Sequence, residues 1–365
     1  MRSISLDILR AIAVLLVLGA HIPDSIYFTK NPLSPLLSCW MRCGWTGVDL
    51  FFVLSGFLVS GLLFKEYQNY QTVDLKKFFI RRGLKIYPAF YAFLALSTII
   101  LWIEGRPLPS VKCFLGEIFY IQNYYSHIWE HTWSLAVEEQ FYLLIGFLTV
   151  YLLKTRKNSP FSSLVPLSIT TCVIILFFRT MHAYALPYTH QTHLFPTHFR
   201  LDSLLFGVLL SYLHHFRRDK TQEWVRKNKG ILFLASVTLL APVFRWSLFD
   251  PFMHSFGFTF LYLGYGGILL LTVYCIDEKR IANNKLAMVM ANIGVYSYSI
   301  YLWHIVFARL YNYHIIPGNS FSICVGIFIY IAGSISAGII MASIIEMPVL
   351  NLRNKLFPSR SGLPA

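Results

Sequence analysis

The sequence predicts an all-α fold: a polytopic integral membrane helix bundle of about ten transmembrane helices, with both termini in the cytoplasm. Hydrophobic residues make up 56% of the 365 residues and charged residues only 13%, a balance typical of membrane proteins and not of soluble domains. The 31 Phe and 22 Tyr suit lipid-facing and interfacial positions. The distribution of Lys and Arg along the chain indicates how the bundle is oriented in the membrane.

Ten apolar runs are the predicted spans, each near the ~20 residues that a helix needs to cross a bilayer. In chain order they cover residues 5–22, 44–64, 84–103, 133–153, 162–182, 198–216, 230–246, 257–275, 291–311 and 320–345. The sixth run starts with charged residues, and it and the seventh are the weakest of the ten. We expect residues 1–350 to form one membrane domain and residues 351–365 to form a short basic cytoplasmic tail.

The basic residues indicate how the bundle is oriented. The net charge is +14, and the segments predicted to be cytoplasmic hold 22 Lys and Arg, whereas the outer loops hold four. This split satisfies the positive-inside rule with both termini in the cytoplasm. Topology therefore accounts for the charge, and we expect membrane lipids, not nucleic acid, as partners.

The first span contains two polar residues, Arg10 and His21, in an otherwise almost wholly apolar run. Eleven residues make about three helical turns, so both side chains project from nearly one face, roughly 16 Å apart along the axis. Such groups are costly in a membrane helix unless they face a cavity or partners. The spacing predicts a polar tract inside the bundle, with a titratable imidazole at its outer end.

Several other charged or titratable side chains fall in the outer half of the predicted spans. They are Asp49, Glu138, Glu139, Arg200, Asp202 and His304. Intramembrane groups of this kind are candidates for a functional site, and their common depth with His21 favours one site. Two plainer alternatives stay open, because Asp202 could neutralise Arg200 or Arg245, and His304 could be a packed histidine with one hydrogen bond.

A basic cluster on the cytoplasmic side, Arg81 and Arg82, precedes the third span. Arginine forks bind phosphate groups bidentately, so the cluster is a candidate anion site. The alternative is a topology signal that also contacts anionic lipids. The outer-loop histidines lack the Cys or carboxylate ligands of a metal site, so we expect no metal.

These motifs together resemble the acyltransferase-3 family of integral membrane O-acyltransferases. The family's first-helix pattern of a basic residue, ten residues and then His matches Arg10 and His21. Further similar segments are residues 47–57, 79–82, 87–88, 133–142, 200–202 and 298–304. The chain is similar to the stand-alone form, which lacks the C-terminal extracytoplasmic hydrolase-like domain of some members.

The resemblance implies an enzyme of the inner (cytoplasmic) membrane that transfers an acyl group, most often acetyl, from acyl-CoA to a hydroxyl of a cell-surface or envelope glycan. It implies His21 as general base, with Glu138 or Asp49 orienting its imidazole. An acyl-His21 intermediate is the rival mechanism. Acyl-CoA enters as donor substrate, and no bound cofactor is implied.

The remaining candidate residues would hold the two substrates. The expected acyl-CoA-binding residues are Arg10, Arg81 and Arg82, and the expected substrate-positioning residues are Trp133, Ser134, Arg200, Asp202 and His304. The alternative function is a transporter or flippase of a glycan lipid or metabolite, since buried charges suit that class too. Acyl-CoA dependence separates the two, because a transporter needs no thioester. The sequence leaves open the acceptor, the acyl length, the oligomeric state and any protein partner.

Overall fold

The computed structural model of the protein describes residues 3–23, 34–155, 160–314 and 320–362. These residues form helices joined by short loops, and no strand occurs among them, which confirms the predicted all-α fold. In chain order the α-helices of the described ranges are α1 (Ile4–Ala20), α2 (Ser34–Cys43), α3 (Gly47–Tyr70), α4 (Leu75–Ile103), α5 (Val111–Ile118), α6 (Trp133–Thr155), α7 (Leu164–Ala185), α8 (Thr197–Phe216), α9 (Arg218–Lys227), α10 (Lys229–Leu240), α11 (Phe258–Cys275), α12 (Glu278–Ala282), α13 (Lys285–Val295), α14 (Ser297–His314), α15 (Ser320–Met341) and α16 (Met347–Leu356).

Long apolar helices make the protein a multi-pass membrane bundle. Within the described part of the chain, six helical segments are long and apolar enough to cross a membrane: Pro35–Tyr70, Leu75–Ile103, Glu130–Thr155, Pro160–Ala185, Met253–Cys275 and Val325–Leu356. Two sharply bent pairs raise the number to eight, with a bend of 82° between α9 and α10 and of 75° between α13 and α14. Each of the ten predicted runs overlaps a helix. Two of these helices are not among the eight candidate spans: α1, which has 17 residues, and α8, which has Arg200 and Asp202 in its first turns. The count of about ten and the cytoplasmic termini stay predictions.

Helices α3 and α8 pack with their backbones in close contact. A Cβ atom on Gly56 would lie 2.0 Å from the carbonyl oxygen of Leu204, and one on Gly207 would lie 2.3 Å from that of Val53. Small residues allow such an approach in membrane helices, where interhelical packing supplies much of the association energy. The contact fixes the depth of the outer turns of both helices, which carry Asp49 and Arg200.

Helix α1 is anchored at its N-terminus. The carboxylate of Glu278 accepts hydrogen bonds from Ser3 Oγ at 2.7 Å and Ser5 Oγ at 2.5 Å, and it also accepts from backbone N–H groups of the first turn. An anion at this end complements both the unpaired N–H groups and the helix dipole. Helix α13 then packs closely, since a Cβ on Gly294 would lie 1.7 Å from the carbonyl oxygen of Asp7. The depths of Arg10 and His21 follow from this anchoring.

Candidate functional site

An inner cavity of about 140 Å³ lies among α1, α3, α4, α6 and α14. Its charged lining residues are Arg10, Arg82, Lys85, Glu138, Glu139 and Glu346, and its polar ones include Ser55, Ser134, Tyr142, Ser297, Tyr298 and Tyr301. The structure thus brings the predicted residues Arg10, Arg82, Glu138 and Ser134 to one cavity. Lys85 and Glu346 were not among the predicted site residues, although Lys85 stands three residues after Arg82 and is therefore its neighbour on the helix surface.

The cations of the inner cavity are held by neighbouring side chains. Arg10 Nη1 is 2.7 Å from Asp7 Oδ1, and the Arg82 guanidinium lies 4.7 Å from the centroid of the Tyr142 ring. The Tyr142 hydroxyl donates to Glu138 Oε2 at 2.7 Å, so Glu138 contacts the residue one turn later on α6. Glu138 therefore belongs to the inner cavity, and its role as the partner of His21 stays a prediction.

Arg81 lies outside the inner cavity. Its Nη1 donates to the backbone carbonyl of Phe357, just after α16, and its own carbonyl accepts from Arg353 at 3.5 Å. Of the three predicted acyl-CoA-binding residues, the structure brings Arg10 and Arg82 together, and it ties Arg81 to the C-terminal segment. The acyl-CoA-binding role of each stays a prediction.

Two buried ion pairs occupy the neighbouring helices. Arg200 Nη2 is 2.6 Å from Asp49 Oδ1, and Arg179 Nη1 is 2.7 Å from Asp202 Oδ2. All four side chains are at most 2% exposed. Each carboxylate therefore compensates an arginine inside the bundle, as buried charges require. Asp49 contacts Arg200 and not His21, and the partner of Asp202 is Arg179, a charge within a predicted span that sequence reasoning had not paired.

Trp133 packs beside Arg200. Its ring stacks on Phe195 with the centroids 5.2 Å apart, and the Arg200 guanidinium lies 5.9 Å from the Trp133 ring. The same guanidinium lies 3.8 Å from the ring centroid of Phe258. Aromatic faces attract a desolvated cation, so these rings and Asp49 together hold Arg200 in place. Trp133, Arg200 and Asp202 thus form a supporting layer beside the cavity.

His21 immediately follows α1, and its ring is oriented by that helix. His21 Nδ1 lies 3.0 Å from the carbonyl oxygen of Val17. A carbonyl only accepts, so Nδ1 carries the proton and Nε2 presents its lone pair. A backbone carbonyl therefore orients the His21 imidazole, and the predicted contribution of Glu138 or Asp49 stays a prediction.

A cluster of aromatic and imidazole rings surrounds His21 on the inner side. Its ring centroid is 4.9 Å from that of His304, which in turn is 5.4 Å from that of His131. His304 Nδ1 contacts the Tyr301 carbonyl at 2.7 Å, and the Tyr301 hydroxyl bonds to Ser134 Oγ at 2.6 Å. The predicted residues His304 and Ser134 thus connect His21 to the inner cavity. His131 was missed as a site residue, although it stands two residues before the 133–142 motif.

An outer cavity of about 540 Å³ lies on the other side of His21. Its lining residues come from the C-terminal ends of α1, α4 and α14 and from the loop before α6, and they include His21, Glu104, Arg106, Trp129, Arg309 and Asn312. The inner cavity is lined instead by the N-terminal halves of the same three helices. The ring cluster of His21, His304 and Tyr301 therefore lies between a charged inner cavity and an outer one.

A sequence profile described as an acyltransferase domain matches residues 3–343, nearly the whole chain. The chain belongs to the acyltransferase-3 family. The matched residues include the helices that line both cavities and both buried ion pairs.

Three curated relatives show what the chain is similar to. A provisionally named O-acetyltransferase of Staphylococcus aureus (strain COL) is 30% identical over 336 residues, 85% of this chain and 51% of the relative. The peptidoglycan O-acetyltransferase OatA of Listeria monocytogenes is 27% identical over 321 residues, 82% of this chain and 48% of the relative. The O-acetyltransferase OatA of Staphylococcus aureus (strain NCTC 8325) is 27% identical over 384 residues, 98% of this chain and 58% of the relative. The chain spans about half the length of these relatives, and no solved structure matches it.

Proposed function

We propose that the protein is a membrane O-acyltransferase that moves an acyl group, acetyl first among them, from acyl-CoA to a hydroxyl of a cell-envelope glycan. The observation that carries the proposal is His21, whose unprotonated Nε2 is available between an inner cavity, lined by three cations and three carboxylates, and a second, outer cavity. The names of the relatives support O-acetyl transfer. One relative is named for peptidoglycan, so peptidoglycan fragments are the first acceptors to test.

The inner cavity is the proposed site of the donor. Arg10, Arg82 and Lys85 line it, and guanidinium and ammonium groups are the usual ligands of phosphates. The roughly 16 Å of helix between Arg10 and His21 leaves room for an extended pantetheine arm. In this arrangement the thioester carbonyl comes to lie beside Ser134 and Tyr301. The Tyr301 hydroxyl donates to the His131 carbonyl at 2.7 Å, so Ser134 is the hydroxyl that can turn to donate to the thioester oxygen.

His21 is the proposed general base. Its Nε2 takes the proton of the acceptor hydroxyl while that oxygen attacks the thioester carbonyl carbon. The new C–O bond forms, the C–S bond breaks, and the proton passes to the CoA thiolate that leaves. The Val17 carbonyl stabilises the imidazolium through Nδ1–H, and His304 packs against the ring so that it keeps this orientation.

The test uses the purified protein in nanodiscs with acetyl-CoA and soluble peptidoglycan fragments. Because a general base contributes about 10²–10⁴-fold, we expect His21→Ala to bind acetyl-CoA normally while its release of CoA thiol falls at least ~100-fold. His198→Ala is the matched control, since His198 is an exposed histidine outside the residues that line either cavity. Wild-type turnover by His21→Ala would contradict the base role. Failure of the wild-type protein to bind any acyl-CoA would contradict the donor assignment.

A further inference from the structure

The described residues that line the outer cavity carry more positive than negative charge. Among its described lining residues are two arginines, Arg106 and Arg309, and one carboxylate, Glu104. Arg106 is exposed, and the Arg309 side chain is one-third exposed. An excess cation in a concave, partly enclosed site attracts an anion more strongly than one on an open surface.

Arg309 is held in a fixed orientation. One oxygen of Glu104, Oε2, accepts from Arg309 Nε at 3.0 Å and lies 2.9 Å from Nη2. A guanidinium has five N–H donors, so the single Glu104 oxygen engages only the side of the Arg309 guanidinium formed by Nε and Nη2. Glu104 thus orders Arg309 in advance, which lowers the entropy lost when a ligand binds.

Trp129 gives the same cavity an aromatic surface. Its indole N–H donates to Ser97 Oγ at 2.9 Å, so its polar atom is satisfied within the protein. What Trp129 adds to the cavity lining is therefore apolar ring surface. A sugar ring, which has an apolar C–H face and hydroxyl edges, matches an aromatic surface flanked by arginines.

We propose that the outer cavity binds the acceptor as an anionic glycan. Arg309 and Arg106 recognise a carboxylate or phosphate group on it, and Trp129 supports the sugar ring with one hydroxyl beside His21. Guanidinium forks match the planar, bidentate geometry of both anions. This inference rests on the proposed function, because it assigns the outer cavity to the acceptor of that reaction, and it makes the arginines specificity-determining residues.

The experiment compares three acceptors at saturating acetyl-CoA in nanodiscs: a disaccharide with a carboxylate, the same disaccharide with that group amidated, and a counterpart carrying phosphate. We expect the wild-type protein to favour both anionic acceptors over the amide by at least ~10-fold in kcat/KM, about the effect of one charge-assisted hydrogen bond. Arg309→Gln and Arg106→Gln should each raise KM for the anionic acceptors more than KM for the amide. The ratio between carboxylate and phosphate identifies which anion the site prefers.

Two controls separate recognition from folding. Arg42→Gln removes an exposed arginine of α2, outside the residues that line the outer cavity, and should keep the full anionic preference. Glu104→Gln/Arg309→Gln removes both partners of the ion pair, so neither charge is left alone, and should reduce the ratio of kcat/KM between anionic and amidated acceptors as Arg309→Gln does. Equal kcat/KM for the three acceptors in the wild-type protein, or an unchanged preference in the arginine variants, would overturn the proposal.

Direct binding keeps this proposal distinguishable from the proposed function. The three disaccharides are titrated onto the wild-type protein without acetyl-CoA, so the result is independent of turnover. Tighter binding of the anionic probes, lost in Arg309→Gln, supports the site even if no acetyl transfer occurs. Equal binding of charged and amidated probes contradicts it even if acetyl transfer does occur.

Discussion

At the residue scale, His21 depends on the end of its own helix. The last carbonyls of an α-helix have no intrahelical partner, and Val17 supplies one of them to Nδ1. Burying a carboxylate in the bundle for the same purpose would require a desolvated charge, whereas a helix end supplies a partial negative charge without one. The tautomer of His21 is thus fixed by the helix that positions it.

Asp49 has a structural role that a substitution can separate from catalysis. Asp49→Asn leaves the Arg200 guanidinium buried without a counter-charge, so we expect a loss of about 3–5 kcal/mol in the free energy of unfolding. The measurement is denaturant unfolding in detergent, followed by size-exclusion chromatography of the folded fraction.

The double variant Asp49→Asn/Arg200→Gln tests the pairing itself. Because it removes both charges, it should recover most of the stability that Asp49→Asn loses. If Asp49→Asn instead kept wild-type stability and lost turnover, Asp49 would act on His21, as the sequence analysis predicted.

At the element scale, the sequence gives helix positions better than helix faces. The apolar runs overlap the helices because span length and hydropathy are local properties. The pairs Arg200–Asp49 and Arg179–Asp202 each join residues of two helices, and their partners depend on how each helix is rotated in the bundle. Depth alone therefore indicated a polar region but could not distinguish Asp49 beside Arg200 from Asp49 beside His21.

The residues that line the cavities show the same difference between helix positions, which the sequence predicts, and helix faces, which it does not. Arg10 and Arg82 both line the inner cavity, because both lie in the N-terminal halves of helices that border it, and their role in binding acyl-CoA stays a prediction. Arg81, next to Arg82 in sequence, points about 100° away around α4 and reaches the C-terminal segment instead. The involvement of Val17 was unpredictable for another reason, since a backbone carbonyl leaves no mark in the sequence.

The π-helical turn His190–Leu194, in the outer segment between α7 and α8, contains a histidine, His193, that makes the stability of the folded protein depend on pH. The ring of His193 lies 4.5 Å from that of His182 and 4.7 Å from that of His254, between centroids. Burial, and then the nearby histidines, lower the pKa of His193 from its ordinary 6.5 to about 4. The folded protein therefore disfavours the protonated form that the unfolded chain adopts below pH 6.5.

Acidification should consequently destabilise the protein. The contribution of neutral His193 is present above pH 6.5 and is lost as the pH falls towards 4. We expect the thermal midpoint to fall between pH 7 and pH 5, and to fall less in His193→Gln than in the wild-type protein. An identical decrease in the two proteins would exclude His193 as the source.

At the scale of the whole molecule, the two cavities lie at opposite ends of the same three helices. The inner cavity lies at the ends of α1, α4 and α14 that the positive-inside rule assigns to the cytoplasm, and the outer cavity lies at the opposite ends. A donor and an acceptor from opposite sides of the membrane could then meet at His21 without either crossing it completely.

Cysteine labelling tests this orientation. In a variant without the native cysteines, Thr72→Cys is placed between α3 and α4, and Leu108→Cys between α4 and α5, both at exposed positions. A membrane-impermeant maleimide added to intact cells should label Leu108→Cys, while Thr72→Cys should react only after the membrane is opened. The reverse pattern would invert the bundle and assign the inner cavity to the outside.

The anchoring of α1 has a consequence for acyl chain length. Glu278 and the close approach of α13 fix the helix, so a donor held at Arg10 presents its thioester carbon at one depth, whatever chain it carries. Every carbon beyond that point must extend past His21 into the volume that the proposed mechanism gives to the acceptor. We therefore expect acyl length and acceptor size to compete for the same space, so that with a bulky glycan acceptor a short acyl group is the preferred donor.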